Sequence, residues 1–225
     1  MLEILKRYPK ENAREFVIRV LNHNIIYLNL KPGQQVSESE IASLLDVSRT
    51  PVREAFIELS KASLVEIYPQ KGTYISKIDL DLVEESRFAR SILEKAVIKL
   101  ACGLITEDYL MFLEDNVRLQ ELAVKRRDYK ELLILDNKFH EIIFKACKKE
   151  LTFNLIRSMM SHFDRIRILN FAVMDMQRTV NDHKNILKAI KERNEKKAEE
   201  LMEEHLTRVI YDQNYLKQLY PEYFK

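Results

Sequence analysis

The sequence predicts a mainly α-helical protein: three helices and a β-hairpin near the N-terminus, then an all-helical bundle of about six helices. Three observations carry that expectation. Only 3 glycines and 5 prolines occur in 225 residues, too few for the many tight turns of an all-β chain. Apolar residues recur at helical spacing along most of the length. That spacing lapses into strand, turn and strand in one place, residues 65–76.

The first helix is expected within Glu11–Leu30, where Phe16, Val17, Val20, Leu21 and Ile25 share a face. Lys31-Pro32-Gly33 stops it. Ser37, with Glu40 three residues on, reads as a capping box for a second helix through Ile41, Ala42, Leu44 and Leu45. Ser48 offers the N-cap of a third. Pro51 falls in its first turn, where a missing N–H costs nothing because that donor has no intrahelical partner. Val52, Ala55, Phe56 and Leu59 continue this helix, and the chain leaves it near Leu64. Val65–Tyr68 and Thr73–Ser76 then read as strands joined by the turn Pro69-Gln70-Lys71-Gly72. Helix, short turn, helix and hairpin in that order make a winged helix-turn-helix over residues 1–76, with 77–81 as a linker.

From Leu82 to the end, residues 82–225 read as helical. Val83, Phe88, Ile92, Leu93 and Val97 form one helix that Gly103 can close. Thr106 caps the next, and Asp128 with Glu131 offers a capping box before Leu132, Leu133 and Phe139. Further helices are expected at approximately 150–173, 175–193 and 195–216. A bundle of this size can enclose a pocket.

Bulk charge decides little. The formal net charge is +2, and residues 1–80 carry 11 Lys and Arg against 10 Asp and Glu, so a nucleic-acid reading must rest on where single basic residues stand. Cys102 and Cys147 lie in apolar helical contexts and read as reduced, buried thiols. No apolar run reaches the ~18 residues of a membrane span, and the first residues lack a signal-peptide core. The expected location is cytoplasmic.

The third helix carries the clearest functional signal. Arg49 and Arg53 are i, i+4 and share a face of its first turns. A recognition helix presents its N-terminal residues to base edges, and bidentate guanidinium contact to guanine is the commonest specific contact in the major groove. Ser48 and Thr50 can bond phosphates beside them. Lys71, Gly72 and Thr73 at the hairpin tip can follow the DNA backbone, with glycine permitting close approach. The run Val47-Ser48-Arg49-Thr50-Pro51-Val52-Arg53-Glu54-Ala55, followed by Leu64-Val65 and Lys71-Gly72-Thr73, resembles the winged helix of GntR-type regulators over residues 10–76. The resemblance implies that Arg49 and Arg53 read operator bases and that Gly72 is the wing glycine. Two positions depart from the family pattern: Ser39 stands where several members have arginine, and Ser63 replaces the usual glycine before the strand, implying a slightly altered turn.

Asp136 and His140 are i, i+4 on one helix, while His183 and His205 sit at the edges of apolar stripes on two later helices. Three imidazoles and a carboxylate from three helices can make a metal site with open positions; taken singly, helical histidines also serve as surface or satisfied core residues. Residues 82–216 resemble the FadR-type ligand-binding domain called FCD. Its metal-binding members carry Asp-x-x-x-His and two later single histidines, matched here by Asp136, His140, His183 and His205. The resemblance implies a divalent metal, Zn first and Ni or Mn as alternatives. It also implies a small carboxylate effector on the open positions, with Arg90 suited to clamp it; an ion pair of Arg90 with Glu94 on the helix surface is the other reading. His23 and His162 match nothing and are assigned structural roles.

Together these readings predict a transcriptional regulator, expected to be a repressor, acting as a homodimer on a pseudo-palindromic double-stranded DNA operator. Two other classes remain open on residues alone. A metalloenzyme using the same four ligands would need a general base near the metal, and no His-Glu-x-x-His motif supplies one. A purely associative helical scaffold would show no specific DNA retention.

Overall fold

The computed structural model describes residues 2–225, and the side chains of all of these except Val209, Ile210 and Tyr211. The chain divides into two compact units: Met1–Leu80 with Lys217–Lys225, and Asp81–Leu216.

In the first unit, α1 (Ala13–Ile26) starts from a capping box in which the Asn12 side chain accepts from the Glu15 amide at 2.9 Å and Glu15 accepts from the Asn12 amide at 3.1 Å. It ends four residues before the expected limit, because the chain turns through Leu28 in the left-handed region (φ 59°) and Leu30 donates its amide back to the Asn24 carbonyl at 3.0 Å. β1 (Gln35–Val36), α2 (Glu38–Leu44), α3 (Arg49–Lys61), β2 (Val65–Tyr68) and β3 (Gly72–Ile75) follow. Phe16, Val17, Val20, Leu21 and Ile25 of α1 meet Ile41 and Ala42 of α2 and Val52, Ala55, Phe56 and Leu59 of α3 in one core, closed by Leu64, Val65 and Ile75.

Several local expectations are corrected. The Ser37 side chain makes no cap bond and instead meets the Ser39 hydroxyl at 2.8 Å, and Ser48 caps α3 through backbone conformation alone. The hairpin is a three-stranded antiparallel sheet of order β1-β3-β2, with Gln35 opposite Tyr74 and Val36 opposite Thr73. A strand of two residues has too little alternation to read. β3 begins at Gly72, whose φ of 116° is one that residues with a side chain rarely adopt, so glycine is strongly favoured there. Ser63 takes the left-handed region at φ 58°, a conformation that costs a serine some strain and that glycine adopts freely.

The expected linker is partly structured. Ile78 is fully buried and forms a parallel bridge with Phe224: its amide donates to the Tyr223 carbonyl at 2.7 Å, and the Lys225 amide donates to the Ile78 carbonyl at 3.1 Å. The last nine residues therefore group with the first unit, not with the bundle, because Phe224 finds its apolar partner there.

The second unit comprises α4 (Leu80–Leu104), α5 (Glu107–Lys125), α6 (Tyr129–Ala146), α7 (Glu150–Met159), α8 (Ser161–Val173), α9 (Gln177–Lys191) and α10 (Glu195–Leu219), the last running on past the unit boundary. Asp128 caps α6 by accepting from the Glu131 amide at 2.9 Å. The helix expected over 150–173 is broken at Met160 into α7 and α8, without glycine or proline; Arg157 of α7 spans the break to Asp164 of α8 at 2.7 Å. Among the described residues the bundle thus has seven helices rather than about six. α5 packs on α6 and α9, and α6 on α7 and α8. α8 is buried from His162 through Leu169, so its charged residues face protein interior.

Candidate metal centre and nucleic-acid interface

The buried face of α3 turns Val52, Ala55, Phe56 and Leu59 into the core and leaves Ser48, Arg49, Thr50 and Arg53 exposed at its first two turns. Arg53 is held by Glu38 of α2 through two hydrogen bonds of 3.1 Å, which fix the direction of its guanidinium. Lys71 is exposed beside Gln70, which takes φ 62° in the turn. Thr73 differs from the expected surface role: it is buried in β3 between Val36 and Ile67, because period-two alternation turns it to the core side of the sheet.

In the helical unit Asp136 and His140 of α6, His183 of α9 and His205 of α10 converge, with one ligand atom from each lying within 4.8 Å of the others. The Nε2 atoms of His183 and His205 are 3.4 Å apart, His140 Nε2 is 3.6 Å from Asp136 Oδ2, and His183 Nε2 is 3.7 Å from Asp136 Oδ1. Atoms bound to one ion at about 2.1 Å lie roughly 3–4 Å apart, so this spacing suits a shared cation.

Partners behind the imidazoles set which nitrogen faces the centre. The Leu135 carbonyl can only accept, so the Asn116 amide donates to it at 3.1 Å; Gln120 donates to Asn116 Oδ1 at 2.6 Å. Gln120 Oε1 is thereby turned to His183 Nδ1 at 2.7 Å, placing the proton on Nδ1 and the lone pair on Nε2. The Glu94 carboxylate lies against His140 Nδ1, and Asp182 against His205 Nδ1 at 3.3 Å. All three Nε2 lone pairs therefore point inward, the arrangement that outer partners impose on metal-bound histidines. His140 Nδ1, although it lies against Glu94, makes no hydrogen bond of normal geometry there, and His140 Nε2 is buried with no hydrogen-bond partner among the described residues. That orphaned acceptor, and two imidazole lone pairs set face to face, are costly without a cation between them. The residues fit a divalent metal.

A polar cavity of about 40 Å³ adjoins the centre, lined among others by Arg90, Asp136, Arg167, Asn170, Asp182 and His205. By that measure a water needs ~10–15 Å³, so the space holds a few small groups. Arg90 is buried, not at the surface, and bonds buried Glu94 at 2.5 Å. The expected Glu94 pair is thus formed, but inside the bundle rather than on its surface. Glu94, read in the sequence only as a surface partner of Arg90, belongs to the site, and residues that sequence reading missed complete it: Gln120, Asp182, Arg167, which bonds Asp136, and Asp164, which bonds Arg167 at 2.8 Å. A signal existed for two of them. Asp164 and Arg167 sit in Phe163-Asp164-Arg165-Ile166-Arg167-Ile168-Leu169, charges in an apolar run. Gln120 carried none.

Burial favours a neutral Glu94, but Arg90 and His140 outweigh it and hold the carboxyl at about 2. Burial likewise raises Asp136, and Arg167 with the three histidines holds it well below the usual carboxylate range. For His140 burial removes the charged form against the pull of Glu94, lowering it to about 4; burial and neighbouring His205 put His183 well below its ordinary value. A histidine neutral when folded but chargeable when unfolded contributes stability that is complete above 6.5 and is lost as pH falls toward its folded value. Metal-free protein is therefore expected to lose up to about 1.4 kcal/mol per pH unit per histidine below that point. Urea midpoints of chelator-treated protein at pH 7.5 and 5.5 check this; an unchanged midpoint contradicts it.

Comparison with known proteins places both units. Residues 85–208 match the FCD domain family, and residues 13–75 match the bacterial regulatory proteins of the gntR family. The chain is 30% identical over 217 residues to the HTH-type transcriptional repressor RspR of Escherichia coli K12, covering 96% of this chain and 95% of that one. In fold it resembles E. coli McbR/YncC, with a TM-score of 0.76 at 19% identity, covering 93% of this chain and 99% of that one. It also resembles a GntR regulator of Rhodococcus sp. RHA1, with a TM-score of 0.70 at 23% identity, covering 88% of this chain and 97% of that one. Among the described residues no helix is long and apolar enough to cross a membrane. A DNA-binding helix-turn-helix joined to an FCD domain, with a full-length regulatory relative, makes this chain a member of the GntR family of transcriptional regulators, not an enzyme.

Proposed function

We propose that this regulator is a homodimeric repressor whose operator affinity is controlled by a small carboxylate bound beside a metal ion in the helical unit. The observation that carries the reading is the convergence of three inward-turned imidazole nitrogens and the Asp136 carboxylate on one point beside a polar cavity. Asp136, His140, His183 and His205 would hold the ion, Zn²⁺ before Ni²⁺ or Mn²⁺, and when bound it supplies open positions for an oxygen ligand. The repressor assignment follows the name of RspR.

The protein's own charges explain why the ligand is an anion. Arg90, Arg157, Arg167 and Arg208 face Glu94, Asp136, Asp164, Asp182 and Asp212, so the protein charges nearly cancel and a divalent ion tips the site to positive, which a carboxylate neutralises. Phe163, beside both Arg90 and Arg167 at 5.7 and 5.9 Å, bounds the cavity on its apolar side. At the DNA end, Arg49 and Arg53 read base edges, and Ser48, Thr50, Lys71 and the Gly72 backbone hold phosphates. Helix α10, which carries His205, and α4, which carries Arg90, are the two helices at whose ends the chain passes between the units. A ligand that changes either helix reaches the DNA-binding unit covalently.

Linkage requires that the effector bind free and operator-bound protein with different affinity. Operator affinity of the zinc-loaded protein, measured against citrate, lactate and gluconate, is expected to change by about 5–150-fold with the matching acid. Equal affinity with every carboxylate would remove effector control.

A further inference from the structure

The cavity beside the metal centre is electrically lopsided. Its inner end is walled by buried Arg90, Asp136, Phe163 and Arg167. There Arg90 is matched by Glu94, and Arg167 with Arg157 by Asp136 and Asp164, so a bound ion adds its charge to a balanced set. The outer end is walled by Asn170, Thr179, Asp182, Arg208 and Asp212, all partly exposed. Arg208 is engaged by Asp182 at 2.8 Å, and Asp182 also meets His205 Nδ1 at 3.3 Å. Asp212 accepts from the Asn170 amide at 2.8 Å, and among the described residues no cation pairs with it. The outer end therefore carries one negative charge in excess.

Helix geometry separates the two ends. His205, Arg208 and Asp212 are i, i+3 and i+7 on α10 and share a face, with Asp212 two turns, about 10 Å, beyond the ligand histidine. On α8 the same order holds: Arg167 bonds Asp136 at the metal end, and Asn170, one turn on, bonds Asp212. A molecule filling the cavity thus meets positive charge at one end and negative charge at the other. A second carboxylate on that molecule would face Asp212 and Asp182, where like charges repel. A hydroxyl would give Asp212 a hydrogen bond and leave its charge uncompensated. An ammonium gives it a hydrogen bond between two ions, the stronger kind, and cancels the excess. Arg208 does not reverse this preference, because Asp182 already neutralises it.

We infer that the effector is a zwitterion, an amino acid whose ammonium stands at the far end from its carboxylate. The carboxylate lies at the inner end with the ion, Arg90 and Arg167, and the ammonium is held by Asp212 at the outer end. The Asn170 amide fixes the Asp212 carboxylate, and the Thr179 hydroxyl offers the ammonium a second acceptor. The two turns of α10 between His205 and Asp212 separate the charged groups, which favours an ω-amino acid over an α-amino acid. The inference rests on the reading of this cavity as a carboxylate site and names what the rest of the carboxylate carries.

Calorimetric titration of the zinc-loaded full chain tests it with acids of matched length that differ only at the far end. One set is β-alanine, β-hydroxypropanoate and malonate; the other is γ-aminobutyrate, γ-hydroxybutyrate and succinate. In at least one set the amino acid is expected to bind about 10–100-fold tighter than its hydroxy and dicarboxylate counterparts. Asp212→Asn keeps a partner for Asn170 but removes the charge, and is expected to erase that preference. Zinc content and circular dichroism confirm that each sample is loaded and folded. A hydroxy acid or dicarboxylate that binds as tightly as the amino acid in both sets overturns the zwitterion, and so does a preference for the amino acid that survives in Asp212→Asn. Binding of citrate, lactate or gluconate with none of the six acids bound also overturns the zwitterion alone. Binding of no carboxylate at all overturns the underlying reading of the cavity.

Discussion

Replacing His183 with alanine is expected to weaken zinc binding by more than about 100-fold, exceeding the 10–100-fold typical of losing an outer partner. His183 is the most tightly set ligand: its Nδ1 is fixed by Gln120 at 2.7 Å, and its ring stacks on Phe139 with centroids 4.1 Å apart and planes 14° from parallel. Little can move to replace it. Gln120→Leu tests the relay separately, because it keeps all four ligands and most of the volume but releases the ring to present either nitrogen; its expected loss is about 10–100-fold. Calorimetric titration of zinc into chelator-treated protein reads both, with urea midpoints confirming that each variant is folded. Affinity within threefold of the unchanged protein for His183→Ala would mean that the ion, if any, binds elsewhere.

Arg49→Ala is expected to cost about 1–3 kcal/mol of operator affinity and to relax base preference at one position of each half-site. Its guanidinium is exposed on the first turn of α3 and, among the described residues, is the free member of the pair, whereas Arg53 is held by Glu38. Lys71→Ala is the contrasting variant: without this hairpin ammonium on a phosphate, all sequences bind more weakly alike and the salt slope falls by about 1. Selection from a random duplex pool, followed by titration at several salt concentrations, separates the two. If Arg49→Ala kept both full affinity and the same preferred sequence, base reading would have to lie elsewhere on the molecule.

Much of this was legible in advance because it follows from local spacing. Arg49 and Arg53 four residues apart, Asp136 and His140 likewise, and the apolar periods of α1, α3 and α6 need only helix geometry to be placed. Two-residue β1, the break between α7 and α8 at Met160, and the burial of Thr73 were not legible. β1 depends on a partner distant in sequence, Gln35 pairing with Tyr74, and so does the burial of Thr73, which lies opposite Val36; the break at Met160 carries no glycine or proline to mark it and is bridged by Arg157 and Asp164. Capping serines misled for the opposite reason. Ser37 has a hydroxyl neighbour in Ser39 that competes for the bond the helix end would take.

The amino-acid order by itself determined the helical class and the spacing of the recognition helix, since periodicity and residue chemistry are local properties; Asp136, His140, His183 and His205 stood out as a set through resemblance to the FCD family, and folding brings them together. Only the folded chain decided which atom of each ligand faces inward, that Arg90 and Glu94 pair inside the bundle, and that Phe224 returns to Ile78. Those outcomes are set by what lies across the core: Gln120 is 63 residues from His183, and neither side chain carries a mark of the other until packing brings them within hydrogen-bonding distance and excludes the water that would otherwise serve both.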